Sequence, residues 1–513
     1  VLRPIKRICS LVITISCLTA TFSGAQTSQA PVLSSAVIRG SSVYAAPELF
    51  DLYREHLGKP INTAQAQLIA SSIADRYVDD GYVRPQIRLE DGLISFGVLR
   101  IDILEARIST VSITGNPGPH RERLETMSAR LQTDSAIRNN DLQWMLRQMR
   151  DLSGLDLTAV TSRDATTVSA YSLDLDAQFR PVSGILRLTN RGTDEIGPNY
   201  LLGQIVANAP FGGRTNFGVT FGAATDYEEY RGLGFLANRQ IGSEGTRASM
   251  RVFRSRSNPR EVPVDGNDRY LRDVLTLELN SPLSRDGART LSLSTALELE
   301  DLTILRDDVE LRDERLRMLN VSLNGSWKTA SDAQYMSVLQ AVKGLGGLNS
   351  GLDALDLEND ARRADFLLFR YSITRVELLS ERWSWRFDGF AQHAAYGLPY
   401  GQRFKIGGER LGRGFEIAEI AGDQGLGAKV ELHRRLRELP AVGGNLSAYG
   451  VYDIGAAWKR DGDGRESAAT IGLGLRVQAS RVFGSLEVAK PLTHADVEGK
   501  RDGAVFLEFN YRL

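Results

Sequence analysis

The sequence predicts a transmembrane all-β barrel of about sixteen antiparallel strands, preceded by two small α/β modules of β-α-α-β-β order. Three observations carry this expectation. The chain opens on a secretory leader. No later apolar stretch approaches the roughly 20 residues of a spanning helix. Past Pro181 the helical period gives way to long segments of alternating polarity.

In the leader, Arg3, Lys6 and Arg7 form a cationic start, residues 8–18 an apolar run, and Ser23-Gly24-Ala25 a small-residue cleavage site before Gln26. Cys9 and Cys17 are the only cysteines and both fall within residues 1–25, so the mature chain is expected to hold no disulfide and no thiolate ligand. Lys+Arg 62 against Asp+Glu 63 leaves no basic footprint for nucleic acid. A secreted chain without a spanning helix is either water-soluble or a barrel, and 513 residues leave room for a large one.

Residues 33–108 read as the first module, after a short segment at 26–32. A strand at 33–38 precedes a helix opened by Pro47, with Leu49, Phe50, Tyr53 and Leu57 on one face and Gly58 at its end. A second helix starts at Asn62, whose side chain can cap it with Gln65 three residues on, and ends at Gly81. Strands at 82–89 and 93–104 flank an Asp91-Gly92 hairpin signal. The architecture repeats at 109–178: a strand at 111–113, helices at 119–131 and 141–151, then strands at 157–161 and 168–179. Leu142, Met145, Leu146 and Met149 form the apolar face of its second helix.

From 179 to 513 the period is two. Leu319, Val321 and Leu323 oppose Asn320, Ser322 and Asn324; Ile471, Leu473 and Leu475 oppose Gly472 and Gly474; Val505, Leu507 and Phe509 oppose Glu508 and Asn510. A soluble sandwich alternates too, but segments such as 290–300 and 504–513 run about ten residues, the length a tilted membrane strand needs. Tight turns at 209–213, 241–244 and 329–332 alternate with long polar loops at 257–268, 301–314, 346–362 and 395–424, the asymmetry of an outer-membrane barrel.

Four stretches carry a family resemblance. Residues 182–193 with Gly197 resemble the first barrel strand and loop of two-partner secretion transporters. Gly407-Gly408 and Leu411-Gly412-Arg413-Gly414-Phe415 resemble that family's Arg-Gly-aromatic motif on the sixth extracellular loop. Asp453-Ile454-Gly455 resembles its Asp-x-Gly strand motif, and Gly92, Leu104, Glu105 and Ile108 resemble the end of a POTRA domain. The family is the hemolysin secretion and activation type (TpsB; ShlB/FhaC/HecB). Gly412 stands where a β-branched residue or leucine usually precedes the arginine, and Leu513 replaces the usual terminal aromatic, with Phe509 and Tyr511 keeping an alternating insertion signal.

The resemblance implies two POTRA domains that capture an unfolded, TpsA-like partner exoprotein, such as a hemolysin or adhesin, in the periplasm, and a barrel that translocates it. It implies a lumenal ion pair between Arg413 and Asp453, and biogenesis through chaperones and the barrel-assembly machinery into outer-membrane lipids. Some members carry an N-terminal plug helix; residues 26–32 are too few for one plus a linker, so the loop at 395–424 is the expected gate. An assembly factor of the same superfamily and a passive porin remain as alternatives.

No enzyme, cofactor or metal signature stands beside these readings. His56, His120, His393, His433 and His494 are scattered without ligand spacing, and the glycines at 344–351 follow a strand with no helix to open, so they read as loop. Trp383, Trp385 and Phe387 at alternate positions read as an interfacial aromatic girdle rather than a sugar-binding face.

Overall fold

The computed structural model describes residues 31–90, 94, 96–163, 170–193, 195–242, 244–260, 267–286, 289–352, 362–460, 464–493 and 503–513. The leader, most of the 26–32 segment, Asp91-Gly92 and His494 lie outside them. The chain divides into two compact units, one built on the first module and one holding most of the second module with the long strands.

The first module contains β1 (Ser35–Arg39), α1 (Thr63–Asp79), β2 (Gln86–Leu89) and β3 (Val98–Leu104), with β1 parallel and β2 antiparallel to the central β3. The helix expected after Pro47 is instead two 3-10 turns, Ala46–Leu52 and Arg54–His56. The chain must turn back at Gly58, whose N–H donates to the Leu33 carbonyl at 2.9 Å. With its end tied back to Leu33, the segment winds as two short 3-10 turns that break at Tyr53. Glu105 fixes the preceding loop by accepting from the Tyr77 hydroxyl at 2.7 Å and the Ser42 N–H at 2.8 Å.

The second helix follows the sequence closely. Asn62 and Gln65 exchange reciprocal side-chain bonds of 2.9 Å, and Gly81 takes the left-handed conformation. Ile69, Ile73 and Tyr77 are buried against Leu99, Ile101 and Ile103. Asn62→Ala should lower the stability of this module by about 1 kcal/mol, visible as a lower thermal midpoint; an unchanged midpoint would deny the cap any role.

The second module adds β4 (Arg107–Asn116), α2 (Arg121–Ala129), α3 (Asn139–Arg150), β5 (Leu155–Arg163) and β6 (Ala170–Phe179), with sheet order β4-β6-β5. The four apolar residues of α3 are buried. His120 is structural: its ring bonds the Ser153 carbonyl at 2.8 Å and packs edge-on against Phe179.

Sixteen antiparallel strands then close a barrel. They are β7 (Val182–Thr189), β8 (Tyr200–Asn208), β9 (Thr215–Ala224), β10 (Tyr230–Ile241), β11 (Thr246–Ser257), β12 (Asp268–Asp286), β13 (Arg289–Arg306), β14 (Val309–Lys328), β15 (Gln334–Gly344), β16 (Leu367–Leu378) and β17 (Trp383–Ala394). After two short strands outside the wall, β18 (Phe404–Ile406) and β19 (Ile420–Gly422), come β20 (Gln424–Leu439), β21 (Gly444–Trp458), β22 (Arg465–Gln478), β23 (Val482–Pro491) and β24 (Ala504–Arg512). β24 closes on β7, with Tyr511 opposite Leu186.

The alternation places apolar side chains outside, the reverse of a soluble sandwich. Leu473 keeps 69% of its surface and Leu507 56%, whereas inward Asp453 and Thr470 keep none. Trp383 is exposed on the outer face near the short-turn end, where Trp327 and Tyr335 stack at 5.1 Å, as a girdle requires. One expected loop is corrected: residues 301–314 continue β13 and β14, which turn only at Asp307-Asp308, both with positive φ. Their charges look like loop polarity, but Arg306 pairs with Asp268 at 2.6 Å and Arg269 with Asp308 at 2.7 Å, so the ladder carries them across strands.

Candidate lumenal site

The connection between β17 and β20 folds into the barrel instead of standing above it. β18 and β19 pair as a small hairpin, with Phe404 opposite Gly422. Phe404, Ile406, Leu411, Phe415 and Ile420 bury an apolar cluster against Ala457 and Ala468 of the wall. Leu411 fits only because the wall is bare beneath it: a Cβ on Gly455 would stand 2.7 Å from its Cδ2. This cluster fixes the depth of the hairpin, and the depth decides what Arg413 reaches.

At the tip, the Gly412 N–H donates to Asp453 Oδ1 at 2.8 Å. Gly412 holds φ +82, and a Cβ there would meet Ile406 Cγ2 at 2.7 Å. Gly414 presents its N–H to Thr470 Oγ1 at 3.4 Å, and Phe415 is buried as the expected apolar anchor. Asp453 faces inward with Val451 and Gly455, while Tyr452 and Ile454 face outward, as the alternation predicts.

The expected ion pair, however, is corrected. Among the described residues the Arg413 guanidinium pairs with Glu431 and Glu487, not with Asp453. The register gives the reason. Asp453 lies level with Lys429 and Thr470, Glu431 is level with Val451 one inward position further, and Glu487 is level with Gly474 and Tyr449 beyond that. Asp453 binds the loop backbone at the upper level, and the long arginine side chain extends past it. Gly472 and Gly474 leave floor space there, since a Cβ on Gly474 would meet the Tyr449 ring at 2.4 Å.

The network extends sideways. Tyr449 donates to Glu487 Oε2 at 2.7 Å, Arg191 reaches Glu487 Oε1 at 3.0 Å, and His433 lies 3.0 Å from Glu431. Lys429 stands 3.4 Å from Asp388, which also holds Arg386 at 2.8 Å. Burial of single charges would be costly, so these groups are kept in mutual contact. Glu431, Glu487, Tyr449 and Arg191 were missed from sequence; inward parity was the available signal for the first three, whereas Arg191 lies past the end of β7 and had no strand alternation to mark it. Phe509, Tyr511 and Leu513 lie elsewhere, on and beyond β24 at the closing seam, where the Leu513 N–H donates to the Gly184 carbonyl at 3.0 Å.

A closed barrel with an apolar exterior, a loop ion-paired into its lumen and small α/β modules before it define an outer-membrane transporter with its modules in the periplasm. Residues 261–477 match the family described as haemolysin secretion/activation protein ShlB/FhaC/HecB, and residues 32–106 match the ShlB-type POTRA domain. Both matches are to ShlB-type domains, so the chain carries this family's barrel and POTRA signatures and is similar to the two-partner secretion transporters.

Among curated relatives, the outer membrane transporter CdiB of Escherichia coli is 24% identical over 484 residues, spanning 90% of this chain and 79% of the relative. CdiB of Dickeya dadantii (strain 3937) is 22% identical over 464 residues, spanning 86% and 79%. Among solved structures, CdiB from Escherichia coli superposes with a TM-score of 0.76 at 21% identity, covering 97% of this chain and 93% of that one. BamA from Haemophilus ducreyi lacking POTRA domains 1–3 gives 0.54 at 12% identity, covering 93% and 99%. Both structural likenesses concern the fold.

Proposed function

We propose that this chain exports one large partner exoprotein, of hemolysin or adhesin type, which crosses the outer membrane unfolded. Residues 33–108 and 109–178 act as two POTRA domains that capture the client, and residues 179–513 form the barrel that translocates it. The observation that carries this reading is the loop hairpin held inside a polar lumen by Arg413, Glu431 and Glu487. Such a tether gates a wide passage without closing it permanently. No ATP is at hand across this membrane, so successive binding and folding of the client outside supply direction. An extended client can add a strand to a module's sheet edge, where backbone bonds give affinity without strict sequence demands.

Phe509, Tyr511 and Leu513 serve as the insertion signal read by the assembly machinery, after periplasmic chaperones deliver the chain. An assembly factor of the same superfamily is the second reading, favoured by the likeness to BamA but at a lower TM-score than CdiB. A passive porin has no use for two periplasmic modules.

The deciding experiment compares secreted and outer-membrane proteins with and without this chain. Loss of one large β-rich secreted protein supports export, and broad loss of barrels supports assembly. A fragment spanning residues 33–178 is also expected to retain that exoprotein's N-terminal part in a pull-down. Equal, weak retention of unrelated unfolded chains would remove partner recognition from the proposal.

A further inference from the structure

Charge pairing is uneven inside the barrel. Beside the loop tip, Arg413, Arg191, Arg386 and Lys429 each stand within 4.0 Å of a carboxylate. On the other side of the hairpin, a cavity of about 420 Å³ against β15–β17 is lined by Arg370, Lys405 and Arg410, together with Gln340, Phe390 and Gln392. Among the described residues none of these three cations has an ion-pair partner. Arg370 donates to Gln392 Oε1 at 2.8 Å and to the Gln402 carbonyl at 2.8 Å, both neutral acceptors. Lys405 lies over the Tyr400 ring at 4.6 Å and Arg410 over Phe390 at 4.3 Å, both exposed to the lumen.

The wall continues the pattern. One inward row runs from β11 to β17 through Arg247, Asn280, Ser294, Ser322, Gln340, Arg370 and Gln392, with no carboxylate in it. The neighbouring rows hold Arg251, Glu278 and Glu298, likewise outside any ion pair among the described residues. This side therefore offers five uncommitted cations, Arg247, Arg251, Arg370, Lys405 and Arg410, against two uncommitted carboxylates, Glu278 and Glu298.

We propose that this side of the lumen is the conduit, and that Arg370, Lys405 and Arg410 recognise carboxylate side chains of the passing polypeptide. The inference rests on the export reading and names the chemistry of its client: extended, acidic segments. A guanidinium already satisfied by neutral amides gains a charge-assisted, bidentate bond when a carboxylate arrives. Cations distributed over the wall (Arg247, Arg251, Arg370) and the hairpin (Lys405, Arg410) give several weak sites from which a chain can move on.

The test records currents through the purified full chain in planar bilayers, with peptides added from the module side. Hexaglutamate is expected to block at a concentration at least tenfold lower than hexalysine. Arg370→Gln/Lys405→Gln/Arg410→Gln should raise the blocking concentration of hexaglutamate at least tenfold. The double variant Lys405→Gln/Arg410→Gln, whose sites are exposed, keeps the test decisive if the triple variant fails to fold. Equal block by hexalysine, or no change in the variants, overturns the inference. Block by inorganic phosphate as effective as hexaglutamate marks a small-anion site only and overturns it too. A chain that secretes its exoprotein yet is blocked equally by both peptides overturns only this inference. A chain on which no secreted protein depends overturns the export reading, and the client assignment with it.

Discussion

Arg413→Ala is expected to release the loop from the lumen and to lower the barrel's urea midpoint more than a change at Asp453 does. The substitution leaves Glu431 and Glu487, exposed by 3% and 1%, facing each other without the cation that joins them. Breaking a buried pair this way costs about 3–5 kcal/mol, and less to the extent that lumenal water and Arg191 compensate. Asp453→Asn should be far milder, because an amide oxygen still accepts the Gly412 N–H. For the same reason, exchanging the charges of Arg413 and Asp453 should restore neither stability nor secretion. Urea unfolding followed by tryptophan fluorescence, and secretion at matched levels of folded barrel, check both statements. An Asp453→Asn variant as damaged as Arg413→Ala would return Asp453 to the role of ionic partner.

That contrast marks the point where the sequence stops being readable. Parity alone assigns Leu473 to lipid and Asp453 to the lumen, because a side chain on a strand has only two faces to choose between. It also marks Glu431 and Glu487 as inward. It does not order inward residues by height on different strands, and only the chain of pairings from β20 to β23 does so. Hairpin depth is equally hidden, since it depends on Leu411 entering the space above Gly455, more than forty residues away. The miss at residues 301–314 has another cause. Arg306 and Asp308 look like solvated loop charges until their partners Asp268 and Arg269, on a neighbouring strand, are known. The 3-10 turns after Pro47 likewise follow from the return of the chain to Leu33, a tertiary constraint that local propensity does not contain.

Gly412→Val carries the second large expected effect, and it runs against family habit: it installs the β-branched type of residue that two-partner secretion transporters usually carry before the arginine. Here the backbone at Gly412 is left-handed, φ +82, the region β-branched residues tolerate least. Holding such a residue there costs roughly 1–3 kcal/mol. The added side chain must also displace Ile406 Cγ2, 2.7 Å from its Cβ, and Gly407 N, 2.9 Å away, for roughly a further 1–3 kcal/mol of overpacking. Relaxing the tip to a right-handed conformation turns the Gly412 N–H away from Asp453 and lifts Arg413 from its two glutamates. Gly412→Ala, with the same Cβ but no branch, should fall between the parent and the valine variant. Ala468 lies beneath the hairpin at 1% exposure, and the chain has no cysteine between residues 26 and 513, so Ala468→Cys reports whether the loop is in place. Maleimide labelling there should be slow in the parent background, faster with Gly412→Ala, and at least tenfold faster with Gly412→Val. If labelling and the urea midpoint are the same in all three, the tip accommodates a branched residue, and the left-handed glycine is not what seats Arg413 between Glu431 and Glu487.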